Sequence, residues 1–225
     1  MGFRVLIVGG TGQVGSALVR ALLAASSCTE VVMVNRRTIP LAADARLRQV
    51  IVDTVAATFA SEIAELAKTC SVQGDPLYAA SCIGIGKGSQ QWSDEDIRKL
   101  EVGLVGAFAR GCLAAGIERF GLLSAAGSKP ESWIRYARFM GEKEAAVRSI
   151  GFKRLAIFRP GIIAGNAHTP GFVALLGRLV PGPYGTIDQD DIGRAFVAEF
   201  LNGREGTTIL KNAAMRQRSR GTLVV

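Results

Sequence analysis

The chain has 225 residues, 48% of them hydrophobic and 20% charged, a balance that builds a core and excludes a disordered protein. Its net charge of +8 comes from 27 basic against 19 acidic residues, but aromatic residues are 7% and scattered, so nucleic-acid binding is not expected. No apolar run approaches the ~18 residues of a membrane span, and Cys28, Cys70, Cys82 and Cys112 lack metal-ligand spacing, which predicts reduced thiols, no metal site and a cytoplasmic location.

The stretch from Phe3 to Val8 is aliphatic and runs into Gly9-Gly10-Thr11-Gly12-Gln13-Val14-Gly15. Ala17, Leu18, Ala21 and Leu22 then recur at helical spacing, so the order is strand, tight loop, helix. This is how a dinucleotide-binding unit begins. Gly9 and Gly10 let the chain turn, Gly12 admits a pyrophosphate to the backbone, and Gly15 brings helix and strand close. The helix N-terminus then faces the phosphates with free N–H groups and a positive dipole end.

Glu30 to Val34 reads as a second strand ending in Asn35-Arg36-Arg37. An acidic residue at this tip would select NAD through the ribose hydroxyls. Arg36 and Arg37 instead offer forked donors to a 2′-phosphate, which predicts NADP(H) in preference to NAD(H), the plainer reading being two exposed loop arginines. A third strand covers Gln49 to Asp53. Asp53 falls where it could meet an adenine amino group or cap the helix that follows, whose apolar stripe is Phe59, Ile63 and Leu66.

Leu77 to Ile83 is a fourth, buried strand, and the Gly84–Ser89 loop after it, with Lys87, lines the crevice where an open α/β sheet takes ligand. A helix is expected from a Ser93 cap to about Ala115, stopped by Gly116. Phe120 to Ser124 is a fifth strand, Ser132 to Ser149 a long helix, and Arg154 to Phe158 a strand turning at Arg159-Pro160-Gly161. Beyond Gly161 the alternation breaks down. A loop with Asn166, His168 and Pro170 precedes an apolar helix around Phe172 to Leu179 and a turn from Pro181 to Gly185. Asp190 or Asp191 is expected to cap a further helix, Gly206 to Leu210 to form an edge strand, and Arg216, Arg218 and Arg220 to form a cationic tail. His168 is the sole histidine, which leaves no His-based triad or His-rich metal site.

Taken together, the glycine turn, Asn35-Arg36-Arg37, Phe120 to Ser124, Tyr136 within Tyr-Ala-Arg-Phe-Met-Gly-Glu-Lys-Glu, and Phe158-Arg159-Pro160-Gly161 resemble the atypical short-chain dehydrogenase/reductase superfamily. Within it, the chain looks most like the HIV Tat-interacting oxidoreductase-like proteins and more distantly like regulators of nitrogen-metabolite repression. The resemblance spans residues 3 to about 210. It implies an α/β, doubly wound parallel sheet of the Rossmann type, a single NAD(P)-binding domain over 1–225, and a small substrate lobe and tail over about 161–225. It also implies cofactor contacts from Gly9 to Val14, Asn35, Arg36, Arg37, Asp53, Cys82, Ile83, Gly84, Tyr136, Pro160 and Gly161.

The family's catalytic residues are a tyrosine and lysine in Tyr-x-x-x-Lys and a serine after the fifth strand. Tyr136 matches as the general acid. The lysine position holds Met140, which has no charge and no N–H donor. An unassisted tyrosine of pKa about 10 is only ~0.1% phenolate at pH 7. The family serine is usually the second of a pair, which here reads Ser124-Ala125, so Ser124 stands one position early and the alternation of a strand turns it the other way. Lys143 shares a helix face with Tyr136 two turns on and either reaches the cofactor or, the simpler reading, is a surface lysine beside Glu142 and Glu144.

Two functions follow. One is an NADP(H)-dependent oxidoreductase acting on a small carbonyl-type substrate. The other is an NADPH-binding regulator of little catalytic power that acts through a protein partner. A homodimer through one of the two longest helices is a further expectation.

Overall fold

A computed structural model describes residues 2–40, 43–71, 74–85, 91–164, 180 and 182–221. Seven strands form one parallel sheet, β1 (Phe3–Val8), β2 (Cys28–Asn35), β3 (Leu47–Ile51), β4 (Leu77–Ser81), β5 (Arg119–Leu123), β6 (Arg154–Arg159) and β9 (Gly206–Lys211). Their spatial order is β3-β2-β1-β4-β5-β6-β9. Strand order therefore reverses between β1 and β4, and the crevice at that reversal is where doubly wound folds bind ligand. A separate short parallel pair joins β7 (Ile162–Ala164) to β8 (Thr186–Asp188).

Both faces of the sheet are covered, which explains the near-continuous apolar runs in the strands. On β1, Phe3, Val5 and Ile7 enter one core while Leu6 and Val8 enter the other, as strand alternation requires. The first core lies under α1 (Gln13–Ala24), α6 (Gln189–Asn202) and α7 (Asn212–Gly221), through Leu18, Phe196 and Met215 among others. The second lies under α2 (Phe59–Ser71), α4 (Val105–Ala114) and the end of α5 (Arg135–Arg148), through Ile63, Phe108 and Val147. Glycines make two of these packings close. A Cβ on Gly193 would stand 2.7 Å from the Ala17 carbonyl oxygen between α6 and α1, and one on Gly111 would strike the Ala60 carbonyl between α4 and α2.

The structure alters several expected boundaries. The helix expected from Ser93 to Ala115 is three pieces, α3 (Asp94–Ile97), a π-helical stretch (Arg98–Leu104) and α4, with Ser93 as the N-cap and Gly116 at a φ of +85° ending it. Helical periodicity alone does not separate α from π winding. Asp188, not Asp190 or Asp191, caps α6: its carboxylate accepts from the Asp190 N–H at 2.8 Å. Asp53 does not cap α2 but accepts from the Val55 N–H at 3.0 Å, and β3 ends at Ile51. The expected cationic tail is largely the helix α7, tied back where Arg218 meets Glu199 at 2.7 Å and Arg216 donates to the Thr186 carbonyl.

Candidate functional site

The glycine turn leaves β1 at Gly9, whose φ of +78° is a left-handed conformation open to glycine. A Cβ there would also come within 2.7 Å of the Cys82 and Ile83 backbone, so the turn is pressed against the end of β4. A Cβ on Gly15 would collide with the Gly9 carbonyl, the close helix–strand approach expected of that position. Gly12 is different. Its Cβ would meet nothing nearer than 3.4 Å, so its surroundings are open on the side where α1 begins. The first turn of α1 carries no side-chain cap and no acidic residue. An open glycine beside an uncapped helix N-terminus fits a pyrophosphate.

On the adenosine side, Asn35 is buried and its amide donates to Gln49 Oε1 at 3.1 Å. Gln49 in turn accepts from the Ile39 N–H at 3.1 Å and donates to the Ile39 carbonyl at 2.8 Å. Asn35 therefore braces the loop carrying Arg36 and Arg37, and its side chain is taken up by that task. Gln49, on β3, was not singled out by the sequence, since a glutamine in an alternating strand reads as an outward residue. Arg36 and Arg37 are exposed and pair with no carboxylate among the described residues. Arg36 lines a cleft of about 910 Å³ together with Thr54, Phe59, Trp92, Lys99 and Leu104. Thr54 and Val55 reach this cleft; Asp53, turned to its own loop, does not.

At the end of β4 the structure corrects the surface reading of Lys143. Its ammonium is buried, 2.8 Å from Glu101 Oε2, and donates to the Ile83 carbonyl at 3.2 Å. Glu101 Oε1 accepts from the Ile85 N–H at 2.8 Å. The π-helical stretch thus places a carboxylate where α5 and the chain after β4 meet. Cys82 is buried in the same region, and its thiol is pushed up to about 12 by desolvation, against the opposing charge of Lys143. Gly84 is exposed.

Tyr136 stands on the first turn of α5, 41% exposed, and its hydroxyl has no partner among the described residues. Burial around the hydroxyl, and then the Glu101 carboxylate, nevertheless push its pKa above the usual value. Met140, in the position of the motif lysine, is buried and packs with Ile97 and Phe139, with Ile85 and Ala125 beside them. It is core.

Ser124 is buried and donates to Glu144 Oε1 at 2.6 Å, with Ser128 Oγ 2.9 Å away. Glu144 also receives Arg159, Nε at 2.8 Å and Nη2 at 2.5 Å. Ser124 is therefore held in a buried polar network and makes no hydrogen bond to Tyr136 among the described residues. At the β6 end, the Pro160 carbonyl accepts from the Ala126 N–H at 2.8 Å, and the Gly161 N–H donates to Asn212 Oδ1 at 3.0 Å. These backbone groups secure the turn. Lys87, Asn166, His168, Pro170, the Phe172–Leu179 helix and Pro181 lie outside the described residues.

A glycine turn at the reversal of a seven-stranded parallel sheet, with a tyrosine on the helix after β5, defines a nicotinamide-dinucleotide protein of Rossmann type. The model of the NAD dependent epimerase/dehydratase family matches residues 5–127, and the chain belongs to that family, within the short-chain dehydrogenase/reductase superfamily. Among curated relatives, "Protein fmp52-1, mitochondrial" of Aspergillus oryzae is 32% identical over 212 residues, covering 89% of this chain and 87% of that one. "Protein fmp52, mitochondrial" of Aspergillus niger is 32% identical over 215 residues, covering 88% of each. Among solved structures, the oxidoreductase ylbE of Lactococcus lactis gives a TM-score of 0.65 at 16% identity, covering 98% of this chain and 96% of that one. The dTDP-glucose 4,6-dehydratase DesIV of Streptomyces venezuelae, solved with NAD and TYD bound, gives 0.68 at 20% identity, covering 98% and 81%. At these identities the structural likeness is one of fold. The relatives' names overturn the cytoplasmic expectation, which rested on reduced cysteines.

Proposed function

We propose that this chain is an NADP(H)-binding oxidoreductase that reduces a small carbonyl-type substrate, with Tyr136 as general acid. The observation that carries the reading is the run of contacts that ties the glycine turn to α5, the helix that bears Tyr136. Gly9 abuts Cys82 and Ile83, Ile83 accepts from Lys143 of α5, and Lys143 pairs with Glu101. This supports a crevice shared by the glycine turn and Tyr136, which stands on the first turn of that helix. The nicotinamide, when bound, supplies the hydride to the carbonyl carbon. Tyr136 donates its phenolic proton to the carbonyl oxygen as that oxygen gains negative charge, and the phenolate regains a proton from solvent. Reduction needs the neutral phenol, whereas oxidation of an alcohol needs the same group as a base. The relatives' names support a mitochondrial setting for such chemistry.

Arg36 and Arg37, exposed and without carboxylate partners among the described residues, support the preference for the 2′-phosphate. Titration of NADPH, NADH, NADP⁺ and NAD⁺ tests it. The phosphorylated pair binds more tightly by about tenfold or more, and Arg36→Ala/Arg37→Ala abolishes the difference without weakening NADH. Equal affinities in the wild type would overturn the preference.

A second reading is a regulator that binds NADPH, turns it over slowly and acts through a protein partner. Met140 favours it, because no lysine stands one turn from Tyr136 to hold the ribose and lower the phenol pKa. Screening carbonyl compounds with NADPH separates the two. Turnover that vanishes in Tyr136→Phe supports the oxidoreductase; no turnover on any compound, with tight cofactor binding intact, supports the regulator.

A further inference from the structure

We propose that a cationic cleft at the carboxyl ends of β5, β6 and β9 binds an oxyanion of the substrate, so that the reduced carbonyl compound carries a carboxylate or phosphate group. The proposal rests on the oxidoreductase reading and names the class of its substrate. The cleft holds about 370 Å³ and is walled by Gly127, Lys129, Arg159, Pro183, Tyr184 and Lys211, among others. At about 30 Å³ per water it takes roughly a dozen water volumes, the scale of a small acid or phosphate ester.

Its charges are of one sign. No acidic residue is among the described residues that line it. Arg159 and Lys211 close their strands side by side, being register partners across β6 and β9. Lys129 and Lys211 form no ion pair with any described carboxylate. Arg159 commits Nε and Nη2 to Glu144, leaving Nη1 without a partner among the described residues, while Glu144 itself is buried away from solvent. Lys129 and Lys211 on one concave surface, with Arg159 in the same wall, favour an anion there. The wall opposite is fitted: Gly127, at a φ of +79°, leaves Tyr184 ring atoms 3.5 Å from where its Cβ would stand.

The loop that carries Lys129 packs on α5, the helix of the proposed acid. The Lys129 N–H donates to the carbonyl of Ala137, the residue after Tyr136, at 3.1 Å. A Cβ on Gly141 would collide with the Lys129 backbone, so this loop lies directly on α5. Neither a residue of the glycine turn nor Arg36 is among the described residues that line the cleft.

Calorimetric titration of inorganic phosphate and of succinate, each into protein saturated with NADPH, tests the proposal. At least one of them binds the wild type, and Lys129→Ala/Lys211→Ala weakens that binding about tenfold or more. Both lysines are exposed, so the double variant keeps its fold, checked by circular dichroism and by an unchanged NADPH affinity. Phosphate binding more tightly than succinate identifies a phosphorylated substrate, and the reverse a carboxylic acid. The proposal is overturned if neither anion binds, if the double variant binds as the wild type does, or if Arg36→Ala/Arg37→Ala removes the binding instead. Failure of the wild type to bind NADPH would defeat the oxidoreductase reading instead, and the anions titrated into cofactor-free protein then decide the cleft by the same comparison.

Discussion

Lys143 Nζ lies 2.8 Å from Glu101 Oε2, with the two side chains 1% and 0% exposed. Each group keeps a backbone partner as well, Ile83 for the ammonium and Ile85 for the carboxylate. The pair thus joins α5 and the π-helical stretch to the chain leaving β4, which itself presses on Gly9. π-Helical segments are rare and concentrate at functional sites. Here the effect is to bring a carboxylate into an otherwise apolar wall.

Breaking that pair from one side leaves a buried charge alone. Lys143→Met is therefore expected to cost about 3–5 kcal/mol in urea unfolding, and Glu101→Leu a similar amount. The double variant Lys143→Met/Glu101→Leu recovers most of the loss, because no charge is then buried. Single variants within about 1 kcal/mol of the wild type would show that the ammonium reaches water.

Met140→Lys, the substitution that rebuilds the family motif, is expected to fail. Met140 is buried against Ile97 and Phe139, so a lysine there adds an unpaired cation to an apolar cluster. The variant loses about 3 kcal/mol or more and gains no turnover of NADPH. Full stability together with faster turnover would mean that this position faces the cofactor.

The strands and the glycine turn were legible in the sequence because both rest on local pattern: apolar runs, and glycines where a Cβ has no room. Arg36 and Arg37 were legible as exposed charges at a strand tip. Lys143 was not. Two glutamates flank it in sequence, Glu142 and Glu144, yet its partner is Glu101, 42 positions away, brought in by a π turn with no sequence signature. Gln49 escaped for a related reason: its bonds to Asn35 and Ile39 exist only once β2 and β3 pair. Ser124 was read as facing away from the reaction, and the residue it faces, Glu144, comes from the far end of α5.

The cysteines give the folded protein a pH dependence of definite sign. Burial raises the Cys28 thiol to about 11 and the Cys82 thiol to about 12, from a usual 9.0. Above pH 9 the unfolded chain loses these protons while the folded chain keeps them, so the unfolded state binds fewer protons and stability falls as pH rises. The loss runs from pH 9 to about 11 for Cys28 and about 12 for Cys82, at up to about 1.4 kcal/mol per pH unit for each thiol. Cys82→Ala flattens the profile in urea unfolding between those limits. A wild-type profile flat above pH 9 would show that the thiols reach solvent.

Gly12 and Gly15 separate holding the fold from holding the cofactor. Gly12 has a φ of −75°, which alanine adopts freely, and its Cβ would find nothing closer than 3.4 Å. Gly12→Ala should therefore unfold within about 1 kcal/mol of the wild type. The added methyl stands where a pyrophosphate approaches the backbone, so NADPH affinity is expected to fall about tenfold or more, alike for NADH because the diphosphate is common to both. Gly15→Ala behaves in the opposite order. Its Cβ would strike the Gly9 carbonyl, so the turn or α1 must shift, at a cost of about 1–3 kcal/mol, and cofactor binding is lost as a consequence of that shift. Unfolding curves and fluorescence titrations on the two variants distinguish the outcomes. Gly12→Ala that binds NADPH as the wild type does would place the diphosphate elsewhere than at this turn.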